Sequence, residues 1–217
     1  MKNEKPVLAI ETSGDFCNVA VYYNENKYVQ TSVKIGRSHS KLILSIIKQL
    51  HNLTGTKISD VKHIALSIGP GSFTGLRIGL AAAKALSYGA DCPIVPVSTF
   101  EAMANQIAPF IPEGESFGLV NKVNTFEVYY ARFQKTKNSV KFVSQVTVVK
   151  QSEFPAPAGE RVFGNLELPG AQVEKIVFSP SAVTIAALSN TEDPEAEYVD
   201  PDLLEPVYIK DFNINIK

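Results

Sequence analysis

The sequence predicts an α/β protein with a duplicated, two-lobe architecture. Three observations carry that prediction. The chain opens on three short β-prone runs separated by polar turns. Helical and strand-like segments then alternate up to residue 108. A second set of three strand-like runs follows, and "GLVNKVNTFEVYYARF" repeats the pattern of "LAIETSGDFCNVAVYY".

The elements follow in order. Residues 7–10 form a short apolar run, and Ser13, Gly14 and Asp15 supply its turn. Residues 19–23 and 28–33 complete a meander around the polar turn "NENK". In "SHSKLILSIIKQLHNL" the apolar positions 42, 43, 46, 47, 50 and 53 follow helical spacing, with Ser38 or Ser40 as cap and Gly55 as terminator. "IALSIG" reads as a strand, residues 74–90 as a helix and "PIVPV" as a strand. Ser98 and Glu101 form a capping box for a helix that stops at Pro109. In the second half, strands are expected within 117–149, at 161–163 and at 174–178. A last helix is capped by Ser179 with Pro180 at its first position, and the acidic, Pro-interrupted tail reads as irregular surface structure.

Composition narrows the function. The chain has 217 residues, net charge -1, 45% hydrophobic and 20% charged residues. These are the proportions of an ordinary globular protein. No apolar run reaches the length of a signal-peptide core or a membrane span, and Cys17 and Cys92 make no metal-ligand spacing, so a cytoplasmic location with reduced cysteines is expected. The arginines, at 37, 77, 132 and 161, are dispersed and the lysines unclustered. This argues against a nucleic-acid site on the isolated chain.

The run "GPGSFTGLRIG" invites a phosphate-binding reading. Leu76 follows Gly75, so the Walker lysine and hydroxyl are missing. Gly69, Gly71 and Gly75 give a loose dinucleotide pattern, but the next strand ends at Ser98 instead of an acid, and Pro70 removes an amide donor. Pro70 and Thr74 also break a nucleophile elbow around Ser72. Ser72 or Thr74 is then a helix cap. Gly75, Gly79, Ala82 and Ala83 give the helix a face that a backbone can approach closely, either from the protein's own sheet or from another subunit. Arg77 stands in the first turn, where the helix dipole disfavours a cation, so a carboxylate or phosphate nearby, inside the protein or on a partner, is expected to compensate it. His39, His51 and His63 have no metal-ligand spacing and read as surface or capping histidines. Glu11 and Asp15 lie on the first meander turn, whereas the second offers Asn121, Lys122 and Asn124. Magnesium-dependent phosphoryl transfer needs acids on such turns, and this chain is poorly equipped for it.

"LAIETSGDFCNVAV", "SHSKLILSIIKQL", "ALSIGPGSFTGLRIGLAAAKAL" and "VPVSTFEAMA" together resemble the bacterial TsaB (YeaZ) family. The resemblance is dense over about residues 7–104 and thinner through "EVYYARF", "PSAVTIAAL" and "EPVYIK". It implies an actin-like, ASKHA (ribonuclease H-like) fold, with residues 1–104 as one lobe and 105–217 as a divergent second. It implies a non-catalytic dimerisation subunit of the machinery that makes threonylcarbamoyladenosine in tRNA. The implied partners are a TsaD-like catalytic subunit, a TsaE-like ATPase, a second copy when the chain is alone, and tRNA only through the complex. No cofactor, catalytic residue or metal is implied for the chain itself. Carried onto this sequence, the interface falls on the first two helices, through Leu42, Ile46, Ile47, Gly75, Arg77, Ile78, Gly79, Ala82, Ala83 and Leu86. Glu11 stands where many members have Asp, and Asn121-Lys122-Val123 replaces a sequence like Asp-Ala-Arg. The competing expectations are an ASKHA-type ATP-dependent small-molecule kinase using Glu11 and Asp15, and a dinucleotide-binding enzyme.

Overall fold

The meander at the start of the chain forms as expected. In the computed structural model, which describes residues 5–36, 38–155, 159–175, 179–190 and 198–209, strands β1 (Val7–Glu11), β2 (Cys17–Asn24) and β3 (Lys27–Val33) pair antiparallel. Helix α1 (His39–Thr54) follows, and Gly55 ends it in the left-handed conformation at φ 72°. Ser38 precedes the helix, but its hydroxyl donates back to the carbonyl of Ile35 and caps nothing. Strand β4 (Ile64–Gly69) then runs parallel to β1. Helix α2 (Phe73–Ala90) leads to β5 (Ile94–Ser98), which runs parallel to β4. Helix α3 (Thr99–Ile107) starts with the Glu101 amide donating to Ser98 Oγ and gives way to a single 3-10 turn at Ala108–Phe110.

The second half repeats this plan. Strands β6 (Ser116–Lys122), β7 (Glu127–Lys135) and β8 (Val140–Lys150) form an antiparallel meander. Strands β9 (Arg161–Gly164) and β10 (Val173–Lys175) add in parallel on the other side of β6. The first sheet has the order β3-β2-β1-β4-β5 and the second β8-β7-β6-β9-β10. The same order and senses occur twice, which is the duplication anticipated from the two meanders, on the ribonuclease H-like plan that the resemblance implies. The strand expected at 174–178 starts one residue earlier, and residues 176–178 lie outside the described residues.

Two compact units result, one of Met1–Gln106 with Ser179–Pro206, the other of Ile107–Phe178 with Val207–Lys217. The last helix belongs to the first unit. Helix α4 (Ala182–Ser189) buries Ala182, Ile185 and Ala186 against Val7, Ala9 and Ala20 of the first sheet. Its cap is Ser181, two residues later than the sequence indicates. Three side chains hold its start: Asn18 Nδ2 donates to Ser179 Oγ and Pro180 O, Gln30 Oε1 accepts from Ser181 Oγ, and Gln106 Oε1 accepts from the Ser181 amide.

On the other face of the first sheet, Ile43, Ile46, Ile47 and Leu50 of α1 pack with Leu8, Ile10, Val19, Leu66 and Ala83. The tail is less superficial than its composition indicates. Val199 bridges to Ile94, and Leu204 is buried in that same core. In the second unit Val120, Val128, Tyr130, Val162 and Leu168 cluster together.

Candidate functional site

The glycine-rich run before α2 is shaped by the turn that follows β1. A side chain on Gly71 would place its Cβ 2.5 Å from Ser13 O, and one on Gly75 2.0 Å from Thr12 O. A Cβ on Gly79 would lie 2.3 Å from Thr12 Oγ1. Real Cβ contacts are far longer, so these positions require glycine for the approach itself. Polar contacts fix the arrangement: the Ser72 amide donates to Ser13 O at 2.7 Å, and Thr12 Oγ1 donates to Gly75 O at 2.8 Å. Ser72, of the two candidates, is the cap, accepting from the Gly75 amide. From the other side, His39 at the start of α1 shares a 3.1 Å hydrogen bond with Phe16 O. The turn thus anchors the N-terminal ends of both helices.

Beneath it Glu11 is fully buried. Its Oε1 accepts from the Ser13 amide at 2.5 Å and from Ser13 Oγ at 2.6 Å, while Oε2 is enclosed without a hydrogen bond. Burial pushes the carboxyl up to about 7, tempered by the hydroxyls of Ser13 and Ser67. Glu11 also helps raise the Cys17 thiol to about 11, after burial as the main cause. Asp15 sits outside, paired with Lys34 at 3.1 Å. These two carboxylates therefore do not present a joint acidic surface.

In the second unit the corresponding turn joins β6 and β7, where Lys122 pairs with Val128 and the Val123 amide donates to Glu127 O at 3.1 Å. Asn121, Lys122 and Asn124 stand on this turn without a carboxylate, and Lys122 is exposed. One acid missed in the sequence lies on this turn: Glu127 Oε2 accepts from Asn124 Nδ2 at 2.6 Å. Asn124 Oδ1 in turn accepts from the amides of Phe126 and Glu127. Its position at the strand start, beyond the aligned turn residues, hid it.

The ten residues expected at an interface divide by burial. Ile46, Ile47, Gly75, Gly79 and Ala83 are buried in the chain's own first unit, so the close approach that the glycines allow is to the sheet and its turn. Leu42, Ile78, Ala82 and Leu86 keep partial exposure, and Arg77 is exposed. Leu44, 59% exposed, and Ala81 and Ala85 are exposed on the same two helices. Gly89 differs from the inward glycines: nothing lies within 4 Å of where its Cβ would stand. Beside Arg77, where a carboxylate or phosphate is the expectation, stands a ring: its guanidinium lies 3.7 Å from the centroid of Phe73.

His63 departs from expectation. It is buried, with Nε2 2.9 Å from Ser189 Oγ and Nδ1 unpartnered. Ser189 Oγ donates to Ala186 O, so Nε2 carries the proton. Burial, with Lys62 as a lesser cause, lowers the imidazole to about 4. Among the described residues no group of three or more His, Cys, Asp or Glu is placed to hold a metal ion, and no helix is long and apolar enough to cross a membrane.

Comparison with known proteins adds the following. The family described as "TsaD: tRNA N6-adenosine threonylcarbamoyltransferase" matches residues 22–207. The tRNA threonylcarbamoyladenosine biosynthesis protein TsaB of Buchnera aphidicola from Acyrthosiphon pisum is 33% identical over 135 residues, 62% of this chain and 60% of the relative. TsaB of Escherichia coli K12 is 31% identical over 149 residues, 68% of this chain and 63% of the relative. The matches thus span somewhat under two thirds of those relatives. Among solved structures, YeaZ from Pseudomonas aeruginosa superposes with a TM-score of 0.76 at 23% identity, covering 94% of this chain and 99% of that one.

Proposed function

We propose that this chain, which belongs to the tRNA N6-adenosine threonylcarbamoyltransferase (TsaD) family and within it to the TsaB (YeaZ) proteins, works in the biosynthesis of threonylcarbamoyladenosine in tRNA as a supporting subunit without catalysis of its own. Its role is to bind a TsaD-like catalytic subunit through the exposed sides of α1 and α2, with Leu42, Arg77, Ile78, Ala82 and Leu86 at the contact. A TsaE-like ATPase and tRNA are met through that complex, and two copies pair when the partner is absent.

The observation that carries this reading is the state of the two meander turns. Phosphoryl-transfer chemistry between two lobes needs solvent-facing acids there to hold magnesium. Of the first turn's acids Glu11 is shut beneath Ser13 and Asp15 is paired with Lys34, and on the second turn Asn121, Lys122 and Asn124 carry no carboxylate while Glu127 accepts from Asn124. The turn of the first unit serves instead to brace the two helices.

The test is co-expression with the TsaD-like protein of the same organism, followed by size exclusion with light scattering. A stable hetero-complex is expected. Its absence, together with magnesium-ATP binding by the isolated chain that is lost in Glu11→Ala, would favour the small-molecule kinase instead.

A further inference from the structure

We propose that the exposed face of α1 and α2 is built for a protein partner whose own contact face is acidic, and that opposite charge selects this partner over a second copy of the chain. The inference rests on the interface reading above and adds the chemistry of the occupant.

Neither helix contains an Asp or Glu, over 16 residues in α1 and 18 in α2. The whole chain is balanced, with Lys+Arg 21 against Asp+Glu 22, so this absence is local. The cations are regularly placed. Lys41 and Lys48 are exposed on α1 and stand seven residues apart, which puts them on one face two turns from each other. Arg77, exposed, and Lys84, partly exposed, repeat that spacing on α2.

The helices do not need this arrangement for their own stability. A helix is favoured by acids in its first turn, and neither has one there. Arg77 instead stands at the positive end of α2, where its charge is unfavourable to the helix. An acid does meet α2 near its other end, where Tyr88 donates to Asp202 Oδ1.

The surroundings of the cations point to protein. Leu44, Ala81 and Ala85 lie exposed among them. Apolar contact with charged surroundings is the make-up of a protein interface. A nucleic-acid face would carry a denser basic stripe. A symmetric pairing of two copies through this face would bring like charges together, because such an interface uses the same patch twice.

The experiment is calorimetric titration of the chain with the TsaD-like protein of its organism at about 0.05 and 0.5 M salt, where the screening length drops several-fold. The dissociation constant is expected to rise by about 10-fold or more across that range. A Lys41→Glu/Lys48→Glu variant, altered only at exposed positions, is expected to bind about 10-fold more weakly at low salt with its melting unchanged. Self-association, followed by sedimentation, is expected to strengthen with salt. A tight hetero-complex indifferent to salt and to the charge reversal overturns the acidic-partner inference but leaves the pairing itself standing. No complex at either salt overturns both. Binding of tRNA by the isolated chain, lost in the double variant, assigns the face to nucleic acid and also overturns the inference.

Discussion

Thr12 and Gly79 lie so close that a single added carbon on Gly79 would stand 2.3 Å from Thr12 Oγ1. The hydroxyl has little freedom to retreat, because it donates to Gly75 O at 2.8 Å. Alanine would favour the helix by up to about 1 kcal/mol, but overpacking at a buried contact costs about 1–3 kcal/mol. A lost hydrogen bond adds about 1 kcal/mol more. Gly79→Ala is therefore expected to destabilise the chain in urea unfolding. Gly89→Ala, where the space is open, should be neutral or slightly stabilising. Equal effects at the two sites would refute this account of the glycines.

That contrast also marks what could be read from the residues alone. Helical spacing announced α1, and Gly55 its end, because both are local properties of the chain. The two meanders were legible through their alternating pattern. A row of small residues, however, shows only that something comes close. Whether the neighbour of Gly75 and Gly79 is the protein's own turn or another subunit depends on where Thr12 sits, more than sixty residues away in sequence. The return of α4 to the first unit was hidden for the same reason. It depends on Asn18, Gln30 and Gln106, which are remote in the chain.

The tail supplies a second prediction. Leu204 is only 5% exposed and packs in the same core as Ile43, Leu50 and Ile94. Leu204→Ala is expected to cost about 2–5 kcal/mol, the usual range for a buried leucine. Leu203→Ala, at a position 77% exposed, should fall within about 0.5 kcal/mol of the parent. Denaturant midpoints of the two variants measure the difference. A silent Leu204→Ala would mean that the tail is not part of the core.

Glu11 gives a third. Its carboxyl titrates at about 7 in the fold against 4.5 for the ordinary group. The folded state therefore holds its proton more firmly than the unfolded chain does. The resulting stability is fully present below the ordinary value and is lost as pH rises through 7. Glu11→Gln keeps an acceptor for Ser13 and removes the titration. Relative to the parent, the variant is expected to gain stability between pH 5 and pH 8, by up to about 3 kcal/mol. Melting temperatures of both proteins at the two pH values test this, and a constant difference would contradict it.

His63 has the opposite slope, and the pair yields the last prediction. Its imidazole titrates at about 4 in the fold against 6.5 ordinarily, so it stays neutral while the unfolded chain takes up a proton. Stability from this group is lost as pH falls from 6.5 toward 4. Over nearly the same interval Glu11 adds stability as pH falls, so the two contributions offset and the parent should show only a shallow dependence between pH 5 and 6.5. Removing either group exposes the other. Glu11→Gln is expected to weaken steeply toward acid, through His63 alone. His63→Gln should instead strengthen toward acid, through Glu11 alone, even where the substitution lowers stability overall by disturbing Ser189. Urea midpoints at several pH values give the sign of each slope. Slopes of the same sign in the two variants would show that these buried groups do not govern the pH response.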